Sequence, residues 1–171
     1  TNFNTQIIKL EEKEFEKEIQ LKDINGQAIS KNMMSNMRNI LKSIQISQEE
    51  NSDLFYFLED DYIHTKNAIT EMLFTYEKLS TQLNRELFLC PADYPYLYSN
   101  IDESKILFGN KSHWRTVNES LITFMTSKKM INKYLGELIA MGQLRHHPME
   151  QKLHEIYEKE YCLSPIPSLA M

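Results

Sequence analysis

The stretch Asp53-Leu54-Phe55-Tyr56-Phe57-Leu58-Glu59-Asp60-Asp61 decides how this chain is read. Residues 53–58 form a short apolar, aromatic run of strand character, and it ends directly in three carboxylates. A buried strand that stops at an acidic cluster delivers those carboxylates to the edge of a sheet. In open α/β sheets that carboxyl edge is where ligands bind. Adjacent carboxylates repel one another at neutral pH, and a divalent cation offsets that charge. The plainer reading is a solvated acidic turn; the apolar run before it and Tyr62-Ile63-His64 after it favour a metal site. On an extended segment Glu59 and Asp61 share one face and Asp60 takes the other.

Before this strand, Ser30 or Asn32 caps a helix carrying Met33, Met37, Ile40, Leu41, Ile44 and Ile46, with Ile40, Leu41 and Ile44 as its core stripe. A charge-rich helical pattern over residues 9–21 precedes it and ends at Gly26. After the strand comes a helix from Lys66 to Leu83, with Ile69, Leu73, Tyr76 and Leu79 on one face. Further strands are expected over Glu86–Cys90, Lys105–Phe108, Ser112–Val117 and Leu121–Met125, the middle two as a hairpin around Gly109-Asn110-Lys111. Ser127 caps a helix reaching Met141, Pro148 opens another through Lys159, and Tyr161–Ser164 closes as an edge strand. Alternating helices and short apolar strands indicate one α/β domain over residues 1–171 rather than a helix bundle.

The chain has 171 residues, 42% of them hydrophobic and 25% charged, which is ordinary globular usage with room for a sizeable core. A net charge of −5 argues against a nucleic-acid partner, whose phosphates call for basic excess. No apolar stretch approaches the roughly 20 residues of a membrane helix. Cys90 and Cys162 are far apart and outside any zinc-type pair, so free thiols in a cytoplasmic setting are expected. The start without Met and the stop after a Pro-rich turn read as part of a longer protein.

Three further constellations carry chemistry. Asp93-Tyr94-Pro95-Tyr96-Leu97-Tyr98 is a stiff aromatic loop whose rings suit sugar faces and nucleobases, or simply pack on the core. In His113-Trp114-Arg115-Thr116, Arg115 offers a planar fork to phosphate or carboxylate, beside the single tryptophan. His146-His147-Pro148-Met149-Glu150 suggests metal only weakly, because neighbouring loop histidines seldom converge on one ion. Glu150 opens a helix, where it serves either the dipole or as a general base. Gly-rich phosphate loops and a Ser nucleophile elbow are absent from the sequence.

Taken together, Phe57–His64, Pro91–Pro95, His113–Thr116 and Leu163–Ala170 resemble, in order and spacing, the glycosyltransferases of the GT-A fold. The likeness is to the bacterial and viral family-2-like enzymes of polysaccharide synthesis. It implies a GT-A-like, Rossmann-like mixed sheet flanked by helices, incomplete here because the N-terminal strands and the C-terminal end of such a catalytic domain would be missing. It further implies a nucleotide-diphosphate-sugar donor, a glycan or lipid-linked glycan acceptor, and Mn2+ or Mg2+ bound chiefly by Asp61. Glu59 and Asp60 would support the metal and the ribose, and Glu150 would be the catalytic base. Asp93, Tyr94, Trp114 and Arg115 would contact substrate. The expected location is cytoplasmic, with peripheral association at the inner face of a membrane. A metal-dependent phosphohydrolase or nuclease using the same triplet, and a non-catalytic binding domain with a vestigial site, are the alternatives.

Overall fold

The computed structural model describes residues 25–99, 103–143 and 148–171, together with Lys22 and Ile101. The helix expected over residues 9–21 and the His146-His147 pair lie outside the described residues. Helix α1 spans Lys31–Glu49, β1 Leu54–Phe57, α2 Ala68–Leu83 and β2 Phe88–Leu89, and a 3-10 turn spans Pro95–Tyr98. Then follow β3 Ile106–Phe108, β4 His113–Val117, β5 Phe124–Ser127, α3 Lys128–Lys133, α4 Leu135–Met141, α5 Gln151–Tyr157 and β6 Cys162–Ile166.

Local chemistry sets several of these boundaries. The Ser30 hydroxyl accepts the Met33 N–H at 3.2 Å and caps α1. The far end of α1 is closed from a distance: the Lys128 ammonium donates to the carbonyls of Gln48 at 2.9 Å and Glu50 at 3.0 Å, groups with no partner inside the helix. Asn84 ends α2 in the left-handed conformation at φ 50°.

The six strands form one mixed sheet in the order β1-β5-β2-β6-β4-β3. Only β2 and β6 pair in parallel; the other neighbours are antiparallel. It follows that β1, β2, β6 and β3 run the same way and place their carboxyl ends on one edge of the sheet. Strand alternation splits the core in two. Phe88, Phe124 and Cys162 point to one face, covered by α1, α3, α4 and α5. Leu87, Leu89, Met125 and Leu163 point to the other, covered by α2. The helix α1 approaches α4 so closely that a Cβ on Gly142 would lie 2.6 Å from Leu41 Cβ and 2.8 Å from the Met37 carbonyl oxygen.

Four expectations need correction. Residues 161–164 do not make an edge strand: β6 runs Cys162–Ile166 and lies inside the sheet, between β2 and β4. The proline within it is tolerated. Leu163 turns its carbonyl to the Cys90 N–H, so Pro165, two residues on, turns its nitrogen to the same side, past the end of the two-residue β2. The helix expected from Ser127 to Met141 is two helices. They break at Tyr134 (φ −112°, ψ 26°), whose hydroxyl is anchored to Glu160 Oε1 at 2.7 Å. The strand expected over Leu121–Met125 begins later, at Phe124, where its pairing with Phe57 of β1 begins, and runs on to Ser127. On α2 the buried stripe is Ala68, Met72, Thr75, Tyr76 and Leu79, one position round from the expected one; Ile69 and Leu73 are exposed. Glu71 shares that buried face and takes up the hairpin turn.

Candidate functional site

The chain leaves β1 at Phe57, continues through Leu58 and Glu59, and turns at Asp60-Asp61. That turn cancels the strand alternation expected for the triplet. Glu59, Asp60 and Asp61 all line one cleft of about 380 Å3, at the carboxyl end of β1. The opposite wall is α1, presenting Asn36, Asn39 and Ser43; Phe57, Phe124 and Met149 are among the apolar residues between.

Glu59 is half-buried, while Asp60 and Asp61 are exposed. Thr123 holds Glu59 in place: its hydroxyl oxygen accepts the Glu59 N–H at 3.1 Å and donates to Glu59 Oε2 at 3.4 Å. Burial raises the Glu59 carboxyl above the usual range, and the charges of Asp61, Glu150 and Asp60 push the same way; the Thr123 bond opposes them. Glu150, just before α5, is thus within electrostatic reach of the triplet although far from it in sequence. It makes no capping hydrogen bond to α5.

Tyr94 also converges on this region. Its hydroxyl is hydrogen-bonded to that of Tyr62, immediately after the acidic turn, and its ring stacks on Tyr96 with centroids 5.5 Å apart. Burial pushes the hydroxyls of both Tyr62 and Tyr94 up. The segment after the turn is paired with the last residues of the chain: the Ile63 N–H donates to the Met171 carbonyl at 2.8 Å and the Thr65 N–H to Leu169 at 2.8 Å. His64 accepts or donates one short hydrogen bond at Nε2 with the Tyr56 hydroxyl.

The other sequence candidates are occupied within the fold. Arg115 Nη2 and Nε both donate to Asp93 Oδ1, at 2.8 and 3.1 Å, and the Tyr98 hydroxyl donates to Asp93 Oδ2. The Tyr98 ring lies 4.2 Å from the guanidinium carbon. With Ser168 accepting the Asp93 N–H at 2.8 Å, this knot pins the 93–98 loop onto β4 and the chain end. Arg115 lines a separate cavity of about 320 Å3 with Leu97, Tyr98 and Val117, outside the acidic cleft. Trp114 is fully buried under α2, its indole N–H directed at Glu71 at 3.5 Å. It presents no surface to a ligand, so the substrate contact expected of it is corrected to a core role.

Among the described residues no three His, Cys, Asp or Glu side chains are grouped so that they would hold a metal ion. The turn's carboxylates are hard oxygen donors, of the kind that suit Mg2+ or Mn2+ keeping most of its waters.

Sequence reasoning passed over Thr123, Asn36, Asn39 and Ser43. The last three carry a legible signal, because positions 36, 39 and 43 recur at helical spacing on one face of α1. Thr123 carries none: it reaches Glu59 across 64 positions of sequence. No protein-family model matches this chain, and no curated protein matches it.

Proposed function

We propose that this chain carries the sugar-handling centre of a metal-dependent glycosyltransferase of GT-A type, moving a sugar from a nucleotide-diphosphate donor to a glycan or lipid-linked glycan. The observation that carries the reading is the gathering of Glu59, Asp60 and Asp61 on one cleft at the shared carboxyl edge of the sheet, with the charge of Glu150 in reach of Glu59. Such an edge is the usual ligand position in an open α/β sheet.

In this reading Asp61, exposed at the turn, holds a divalent ion with Asp60 beside it; when bound, that ion neutralises charge on the departing diphosphate. Glu59, clamped by Thr123, orients the turn and accepts ribose hydroxyls. Glu150, at the entry to α5 and not used as a helix cap, is the general base for the acceptor hydroxyl. Tyr94 and Tyr96 supply stacked aromatic surface on the loop that bonds to Tyr62, just past the triplet. Asp93 and Arg115 act indirectly, by holding the aromatic loop. Among the described residues no helix is long and apolar enough to cross a membrane. We place the enzyme in the cytoplasm or at the inner face of a membrane.

The test is a thermal-shift titration with Mn2+ and a panel of nucleoside diphosphates, repeated on Asp61→Asn. Stabilisation by one nucleotide that requires Mn2+ and disappears in the variant is expected; a ligand at 100 times its dissociation constant adds about 2.7 kcal/mol. A nucleotide shift that persists in Asp61→Asn sinks the assignment of the metal to that residue. Hydrolysis of phosphodiesters without any nucleotide-sugar requirement would replace the transferase with a phosphohydrolase.

A further inference from the structure

Helix α2 carries more apolar surface than the sheet beneath it buries. Met72, Tyr76 and Leu79 take the sheet side of the helix. Ile69, Leu73 and Phe74 stand on the opposite side, 44%, 42% and 54% exposed. Spaced one turn apart, Ile69, Leu73 and Glu77 form one row along the helix, and Lys66, Thr70 and Phe74 form the next. Lys66, Thr70 and Glu77 are exposed too, and neither charge is in an ion pair with a described residue. These six positions complement themselves about a point between Glu71 and Met72. Lys66 lies as far before that point as Glu77 lies after it, Ile69 as far before as Phe74 after, and Thr70 as far before as Leu73 after.

We propose that this outer face of α2 is a homodimer interface, with two copies of the chain packing α2 against α2 in antiparallel fashion about a twofold axis at that point. The axis sets Ile69 opposite Phe74 of the second copy, Thr70 opposite Leu73 and Lys66 opposite Glu77. Each contact is made twice, as an isologous interface requires. The apolar side chains fill the centre, and a Lys66–Glu77 pair closes each end, about 8 Å along the helix from the axis. At the roughly 20° crossing common in helix bundles the two helices stay close over that length. Charge selects this orientation: a parallel pair would set lysine against lysine and glutamate against glutamate. Lys66 also sits before the N-terminus of α2, where the helix dipole disfavours a cation, and the antiparallel neighbour offers it a carboxylate in the half nearer the negative end. Three apolar side chains per copy are far fewer than the about 20–30 residues a side of a standard interface, so the dimer is weak and reversible, with a dissociation constant on the order of 100 µM.

The test is sedimentation velocity of the full chain over a concentration range from about 5 to about 500 µM, at low and at high salt. A monomer–dimer equilibrium is expected, several-fold tighter at low salt because its end pairs are exposed charges. Glu77→Lys sets like charges opposite each other at both ends and should weaken the dimer by roughly tenfold or more. Adding Lys66→Glu to that variant restores opposite charges and should recover most of the loss. Both positions are exposed, so the variants should keep the fold, which unchanged Trp114 fluorescence checks. Phe74→Ser should weaken the dimer in either charge background. A single monomeric species at every concentration overturns the inference. So does a dimer that ignores Phe74→Ser, or a Glu77→Lys loss that Lys66→Glu does not recover, because either result puts the contact elsewhere on the molecule.

Discussion

Replacing Glu71 should cost as much as truncating a core residue of α2, although a glutamate on a helix reads as a solvated charge. It is 4% exposed. Its carboxylate accepts the backbone N–H groups of Lys111 and Ser112, each at 3.0 Å, the Asn110 side-chain amide at 3.1 Å and the Thr75 hydroxyl at 3.2 Å. The Trp114 indole N–H adds a longer contact at 3.5 Å. Burial alone would raise this carboxyl, but the Lys111, Ser112, Trp114 and Asn110 bonds outweigh it and hold the pKa below the usual range. A hydrogen bond to a charged group is worth about 1.5–3 kcal/mol net. Counting only the two backbone bonds, at the low end because burying a carboxylate has its own cost, gives roughly 3 kcal/mol for Glu71→Ala. Glu71→Gln keeps one acceptor oxygen and should lose roughly half of that. The assay is urea unfolding followed by Trp114 fluorescence, which reports from inside the same network. Because the folded pKa is depressed, the stabilisation is fully present above the unfolded value near 4.3 and is lost as pH falls through the folded one. The wild-type advantage over Glu71→Gln should therefore be constant from pH 7 to about pH 5 and then shrink. A loss below about 1 kcal/mol in Glu71→Ala, or a gap that does not change between pH 5 and pH 3, refutes the reasoning.

Gly109 should refuse any side chain: a Cβ there would lie 2.5 Å from Thr75 Oγ1 and overlap the Trp114 indole, so Gly109→Ala is expected to cost roughly 1–3 kcal/mol in the same unfolding assay. Gly136, with nothing within 4 Å of its would-be Cβ and a place inside α4, is the control; Gly136→Ala should be neutral or stabilise by up to about 1 kcal/mol. The Asp93–Arg115 pair is only 11% and 9% exposed, so removing either partner should destabilise by about 3 kcal/mol, with a double-mutant cycle showing coupling well above the ~0.5 kcal/mol of an exposed pair. Coupling near zero would mean that the loop is held by Tyr98 and Ser168 instead.

Much of the local structure was legible because it follows from short-range rules. Ser30 as a cap, the apolar run of β1 and the hairpin around Gly109 depend on residues within a few positions of one another. The misreadings share one cause. An apolar tail such as Cys162-Leu163 fits an edge strand or an inner one equally well, and only the partners on both sides place it in the interior. Trp114 between His113 and Arg115 looks available to a ligand, and its burial is decided by α2 lying across the sheet. Glu71 on a helix reads as a solvated charge until the hairpin turn is seen to close over it.

For the candidate site, the sequence by itself determined that a strand ends in three adjacent carboxylates, since a run of side chains and the residues after it are contiguous facts. It also determined that Glu150 stands near the start of a helix. That the three carboxylates line one cleft, with the charge of Glu150 in reach of Glu59, was a matter for the tertiary structure. The turn at Asp60-Asp61 brings the whole triplet to one side, and Thr123 and Glu150 reach Glu59 from distant segments. Electrostatic reach and hydrogen bonding depend on distance in space, and that distance is set by how α1, α5 and β5 pack on the sheet, not by spacing along the chain.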